Sequence, residues 1–73
     1  MRPELTEIFT NVLETGSISE HDSAETILSW DSVRHLTLIT AIEERFDITF
    51  DADQLMELTS VSAILEALRK SGR

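Results

Sequence analysis

The run Ser29-Trp30-Asp31-Ser32-Val33 sets a serine beside an aspartate, at the point where a long polar stretch gives way to a regular apolar repeat. A serine on the first turn of a helix lies among backbone amides that lack intrahelical partners, at the positive end of the helix dipole. A phosphodiester on that oxygen would sit in a favourable field, so Ser32 is a candidate phosphate-bearing residue. The plainer reading is that Ser32, or Asp31 beside it, simply caps the helix, and on local sequence alone this is the commoner role. His35, near Asp31 and Ser32, has the residue type of a hydrolase base. One helical turn rarely supplies a nucleophile, an aligned base and an oxyanion pocket together, however, so a surface or partner-contact histidine is expected. Asp51-x-Asp53 opens like a calcium loop and then fails, because Leu55 replaces the next ligand and the central glycine is missing. Trp30 reads as a buried anchor for the loop around it.

Positioning these residues requires helices. Leu5, Ile8, Phe9, Val12 and Leu13 recur at helical spacing, with Pro3 suited to the first turn and Gly16 to the stop. From Ser17 to Asp31 the spacing degenerates; Ser17 with Glu20 matches a capping box, which predicts a short helical turn, and Ile18, Ile27, Leu28 and Trp30 are expected to pin the loop. Leu36, Ile39, Ile42 and Phe46, with Val33 and Leu38, predict a second helix from about Ser32 to near Arg45. The residues from Phe46 to Phe50 alternate but have no second alternating run to pair with, so they read as an extended connection. Asp51 or Asp53 would cap a short third helix carrying Leu55 and Leu58. Val61, Ile64, Leu65 and Leu68, behind Thr59 and Ser60, predict a fourth that ends on Arg69 and Lys70. The expected fold is all-α: a small bundle of three main helices and one short helix, with a long loop between the first two.

Composition bounds the partners. The 73 residues suffice for a single domain, 1–73, and the 22 Leu, Ile, Val and Phe are enough to form a core. Six Lys and Arg against fourteen Asp and Glu leave a net charge of −8, which disfavours nucleic acid and anionic membrane surfaces. The absence of cysteine removes disulfides, thiolate metal sites and a protein-borne thiol nucleophile. Neither a signal-type apolar stretch nor a membrane-length segment is seen, so a cytoplasmic, monomeric protein is the expectation, and the start at Met1 suggests a stand-alone one.

Read together, Trp30-Asp31-Ser32-Val33-Arg34-His35-Leu36, then Ala41-Ile42-Glu43-Glu44, then Phe46-Asp47-Ile48-Thr49-Phe50, resemble the acyl carrier protein family over essentially the whole chain. That family carries an Asp-Ser-Leu signature at the start of its second helix, then an apolar helix ending in acids, a Phe, and an Ile-x-Phe step into a short third helix. Here Val33 stands at the third signature position.

The resemblance implies a protein that catalyses nothing itself. Ser32 would carry pantetheine 4'-phosphate, taken from coenzyme A by a phosphopantetheinyl transferase, and the arm's thiol would hold an acyl or aminoacyl group as a thioester. Asp31 would position the attachment site. Val33 would meet partners, and Glu43 and Glu44 would face basic patches on an acyl or aminoacyl ligase and downstream biosynthetic enzymes. Arg34 and Thr37 stand where carriers of fatty acid synthesis tend to have acids, which favours a dedicated secondary pathway. Fatty acyl, polyketide, glyceryl and amino acid cargoes all fit. The alternative from a different class is a small acidic helical adaptor without a prosthetic group, which explains the composition equally well and lacks only a role for Asp31-Ser32.

Overall fold

The computed structural model describes residues 2–71. Four helices follow in order, α1 (Pro3–Val12), α2 (Ser32–Phe46), α3 (Ala52–Glu57) and α4 (Val61–Lys70). Among the described residues the only extended pairing outside them is an isolated bridge between Ser23 and Ser60. The bundle expected from periodicity is the fold observed.

Helix α1 starts with Pro3 in its first turn, where a missing N–H costs nothing, and buries Leu5 and Phe9. It stops earlier than the glycine suggests. Leu13 caps it and is fully buried, and Glu14 takes the left-handed conformation at φ 52°. The amide of Thr15 then reaches back to the carbonyl of Thr10 at 3.2 Å, closing a Schellman-type end. A side chain with a Cβ enters this backbone region at a cost of about 1 kcal/mol. Arg34 offsets that cost by donating to the Val12 carbonyl at 2.8 Å and pairing with the Glu14 carboxylate at 2.5 Å. Gly16 lies beyond the stop, with open space around its Cα.

The long loop holds no helical turn at Ser17–Glu20. Ser19 and Asp22 bond to each other instead, the Ser19 amide to the Asp22 carboxylate at 2.9 Å and the Asp22 amide to the Ser19 carbonyl at 3.0 Å. The loop is stitched to the α3–α4 connection by Ala24 N–H to the Thr59 carbonyl at 2.9 Å and Val61 N–H to the Asp22 carbonyl at 3.0 Å. Ile18 and Ile27 pack on the core and Trp30 is buried, as the loop needs. Leu28 does not: it is 98% exposed.

Helix α2 turns Leu38, Ile39, Ile42 and Phe46 inward, while Val33 and Leu36 face solvent at 73% and 54% exposure. The apolar stripe is thus set one position away from Leu36. A helical face is continuous at spacings of three and four, and Leu38, Ile42 and Phe46 keep that register. Asp47, left-handed at φ 55°, ends α2 one residue after the predicted Arg45–Phe46 boundary, with Ile48 N–H returning to the Glu43 carbonyl at 3.1 Å. The connection expected over 46–50 is shorter than read, because Phe46 still belongs to α2 and Asp47 is left-handed; residues 48–50 are neither helix nor strand. Asp51, rather than Asp53, then caps α3, in a reciprocal capping box with Gln54. Ser60 caps α4 by accepting from Ala63 N–H at 3.1 Å. At the far end of α4 a hydrogen bond from Arg69 holds the Glu66 carboxyl below its ordinary value, but this pair is solvent-exposed and screened, so it adds little.

The core is Leu5, Phe9, Leu13, Trp30, Leu38, Ile39, Ile42, Phe46, Leu58, Val61, Ile64 and Leu68. Phe9 sits fully buried, its ring tilted at 57° against Trp30 with centroids 6.0 Å apart. Truncating Phe9→Ala should cost about 3–5 kcal/mol, whereas Leu28→Ala should change stability by no more than about 0.5 kcal/mol. Urea unfolding of the two variants checks the pair; an equal loss from both would place Leu28 in the core.

Candidate functional site

Asp31 is the residue on which α2 begins. Its backbone is extended, its carboxylate accepts from Arg34 N–H at 2.9 Å, and its carbonyl accepts from His35 N–H at 2.8 Å. Capping, the plainer reading of this segment, is therefore Asp31's task, and Ser32 is freed from it. Ser32 is the first residue of α2, it is exposed, and its hydroxyl makes no hydrogen bond to another described residue. Because Asp31 uses the third amide of the helix, the amides of Ser32 and Val33 remain directed at the space around the serine.

Three contacts hold that turn in place. Arg34, two residues after Ser32, reaches back to the end of α1 through Val12 and Glu14. Trp30, two residues before it, is buried and donates its indole N–H to His35 Nδ1 at 3.0 Å. The two rings stack with centroids 6.2 Å apart and 26° between planes. His35 Nε2 lies 2.8 Å from the Leu55 carbonyl of α3. Since an indole N–H can only donate and a carbonyl can only accept, His35 accepts at Nδ1 and donates from Nε2. His35, partly buried, joins the loop, α2 and α3 through both ring nitrogens.

Beside Ser32 lies a groove of about 320 Å³ lined by Ala24, Trp30, Asp31, Ser32, His35 and Thr59. On the outer side of α2, Leu36, Thr37, Thr40, Ala41 and Glu44 line a shallower one. Val33 and Glu44 are exposed on this helix. Glu43 is turned partly inward, and its carboxylate accepts from Phe50 N–H at 2.7 Å, fastening the extended connection to α2. Arg34 and Thr37 likewise look inward or to their own helix, Thr37 donating to the Val33 carbonyl at 3.1 Å. Asp51 is committed to its cap, and no cluster of metal-ligating side chains forms among the described residues.

Ser32 thus stands exposed on the first turn of α2, with the unpaired amides of the helix start beside it. The family profile described as phosphopantetheine attachment site matches residues 3–68. The chain belongs to that family. Its members are non-catalytic carriers, and this carrier bears 4'-phosphopantetheine covalently on a serine. A solved structure described as an acyl carrier protein from Mycobacterium tuberculosis superposes with a TM-score of 0.81 at 21% identity, covering 90% of each chain; it shows the same fold. Among curated proteins no sequence matches. The residues suit the group: an exposed hydroxyl, two unpaired helix-start amides and an open groove alongside. The adaptor without a prosthetic group is set aside by the family.

Sequence reasoning missed the work of His35 and Arg34. One signal for His35 was available, because a buried tryptophan needs an acceptor and His35 is the nearest polar ring in the chain. Nitrogen-15 NMR of His35 should show Nε2 protonated and Nδ1 as acceptor. His35→Phe, which leaves the indole N–H and the Leu55 carbonyl without partners, should lower stability by about 1–3 kcal/mol in urea unfolding. A proton on Nδ1 would overturn the assignment.

Proposed function

We propose that Ser32 is the attachment serine and that the carrier holds an acyl or aminoacyl intermediate as a thioester, delivering it to the enzymes of a dedicated biosynthetic pathway. The observation that carries this reading is the separation of roles at the start of α2: Asp31 caps, and Ser32, exposed beside it, keeps an uncommitted hydroxyl. When bound, the prosthetic group supplies the thiol that the cysteine-free chain lacks. The chain's own residues do the rest. Asp31 fixes the register of the turn, Arg34 and the Trp30–His35 pair fix its place in the bundle, and the Ser32 and Val33 amides favour the negative phosphodiester. Tethering raises the effective concentration of the cargo at whichever enzyme the carrier has docked on.

Docking falls to the outer face of α2. Val33 and Leu36 present apolar side chains and Glu44 a charge on the side away from the core, next to Ser32. The transferase, a loading ligase and downstream enzymes would use this face in turn. Because Arg34 is bound to α1, its positive charge is partly neutralised by Glu14, and the missing acids near Ser32 are what mark the partner set as different from that of fatty acid synthesis. We read 1–73 as one domain, acting as a monomer in the cytoplasm; among the described residues no helix is long and apolar enough to cross a membrane.

Incubation with coenzyme A and a broad-specificity phosphopantetheinyl transferase should give a heavier protein by intact mass, and Ser32→Ala should abolish the gain. Wild type that gains no mass sinks the attachment reading, while a modified Ser32→Ala moves the site elsewhere. Glu44→Lys should slow association with the loading enzyme several-fold at low salt, the loss shrinking as salt rises. Glu43→Lys should also destabilise the fold, because Phe50 N–H loses its acceptor. Association rates at two ionic strengths, with a melt of each variant, separate the two acids; a Glu44→Lys rate equal to wild type would move docking to Val33 and the preceding loop.

A further inference from the structure

The groove beside Ser32 has no role in docking on the outer face of α2. It lies on the other side of the serine, floored by Trp30 and walled by Ala24 of the long loop and Thr59 of the α3–α4 connection. Its walls are held at a fixed spacing, because Ala24 N–H bonds to the Thr59 carbonyl and Ser23 pairs with Ser60. Its floor is equally fixed. Trp30 is 4% exposed, wedged on Phe9 and tied to His35. A groove with rigid walls next to a modified residue offers a ligand a surface that costs no reorganisation.

We propose that this groove seats the near half of the prosthetic arm, its branched pantoyl segment, and leaves the thiol half in solution. The proposal rests on Ser32 being the attachment site. Ser32 itself forms one edge of the groove, so whatever follows the phosphate enters it at high effective concentration. The chemistry matches the lining. The first carbons after the phosphate bear two methyl groups, which suit the Ala24 methyl, the Thr59 methyl and the indole edge. The amide that follows can meet the Thr59 hydroxyl, since the Trp30 and His35 nitrogens are already committed to each other and to Leu55. The size argues for half an arm only. At about 320 Å³ the groove is at the lower limit of small-molecule sites, which span about 300–1,000 Å³, and an arm with its cargo would overfill it. The Trp30–His35–Leu55 chain closes the way inward between α2 and α3 at this point, so the cargo end is directed outward.

The test compares amide and methyl NMR spectra of the unmodified protein with those of the protein modified by the transferase, after intact mass has verified the addition. Docking predicts shifts at Ala24, Thr59 and the Trp30 indole N–H, and nuclear Overhauser contacts between the arm's paired methyls and the Ala24 and Thr59 methyls. Ala24→Leu, which fills the groove, should erase those contacts while leaving the mass gain intact. Should Ala24→Leu fold poorly, Thr59→Asp, at an exposed position, provides a second way to spoil the apolar wall. A heavier protein whose spectrum changes only at Ser32 and its chain neighbours overturns the groove and leaves the attachment site standing. A protein that never gains mass overturns both.

Discussion

A buried indole must give its N–H to an acceptor, and in this carrier that requirement organises the region around Ser32. Trp30 lies inside the core against Phe9, two residues before Ser32. Its N–H goes to His35 on the next turn, and His35 in turn donates to the Leu55 carbonyl of α3. An unpaired indole N–H in that environment would cost about 1–3 kcal/mol, so the three elements move together or not at all. The short helix α3, which buries no residue of its own, is held largely by this bond, by its capping box and by the burial of Leu58 at its end.

The same logic of satisfying helix ends links α1 to α2. Two helices stop on left-handed residues that are not glycine, Glu14 and Asp47, and each stop is a place where the next part of the chain is fastened. Arg34 binds the last turn of α1 from the first turn of α2, so the end of one helix and the start of the next share one guanidinium. Glu43 binds Phe50 N–H and so draws the extended connection against α2. Charged side chains that look like surface decoration in an acidic protein are thus spent on geometry, leaving Glu44 and the exposed Val33 and Leu36 as the outward character of α2.

The proposed attachment point is both rigid and open. Rigidity comes from Trp30 below, Arg34 behind and Asp31 in front of Ser32; openness comes from the absence of any side chain bonded to the serine oxygen among the described residues. The core beneath this turn is filled by aromatic and aliphatic side chains right up to Trp30.

Much of this was legible in the amino acids. Apolar spacing placed four helices, since a helix that must bury one face announces its period, and Asp31-Ser32-Val33 in its setting pointed to the proposed attachment site. Asp51 and Ser60 were readable as caps because their side chains act on amides two or three residues away. What local pattern could not decide were contacts between residues distant in the chain. Gly16 looked like the end of α1, but the burial of Leu13 and the reach of Arg34 across 22 positions ended it at Val12. Leu28 and Leu36 read as core, yet the bundle has only so much interior, and Leu38 and Trp30 took it. His35 read as a surface residue until folding brought Leu55 from 20 residues away to its second nitrogen. Periodicity and capping are local free energies and are written in sequence; which of several apolar or polar groups gets the buried place depends on what the fold brings beside it, and that only the tertiary structure determined.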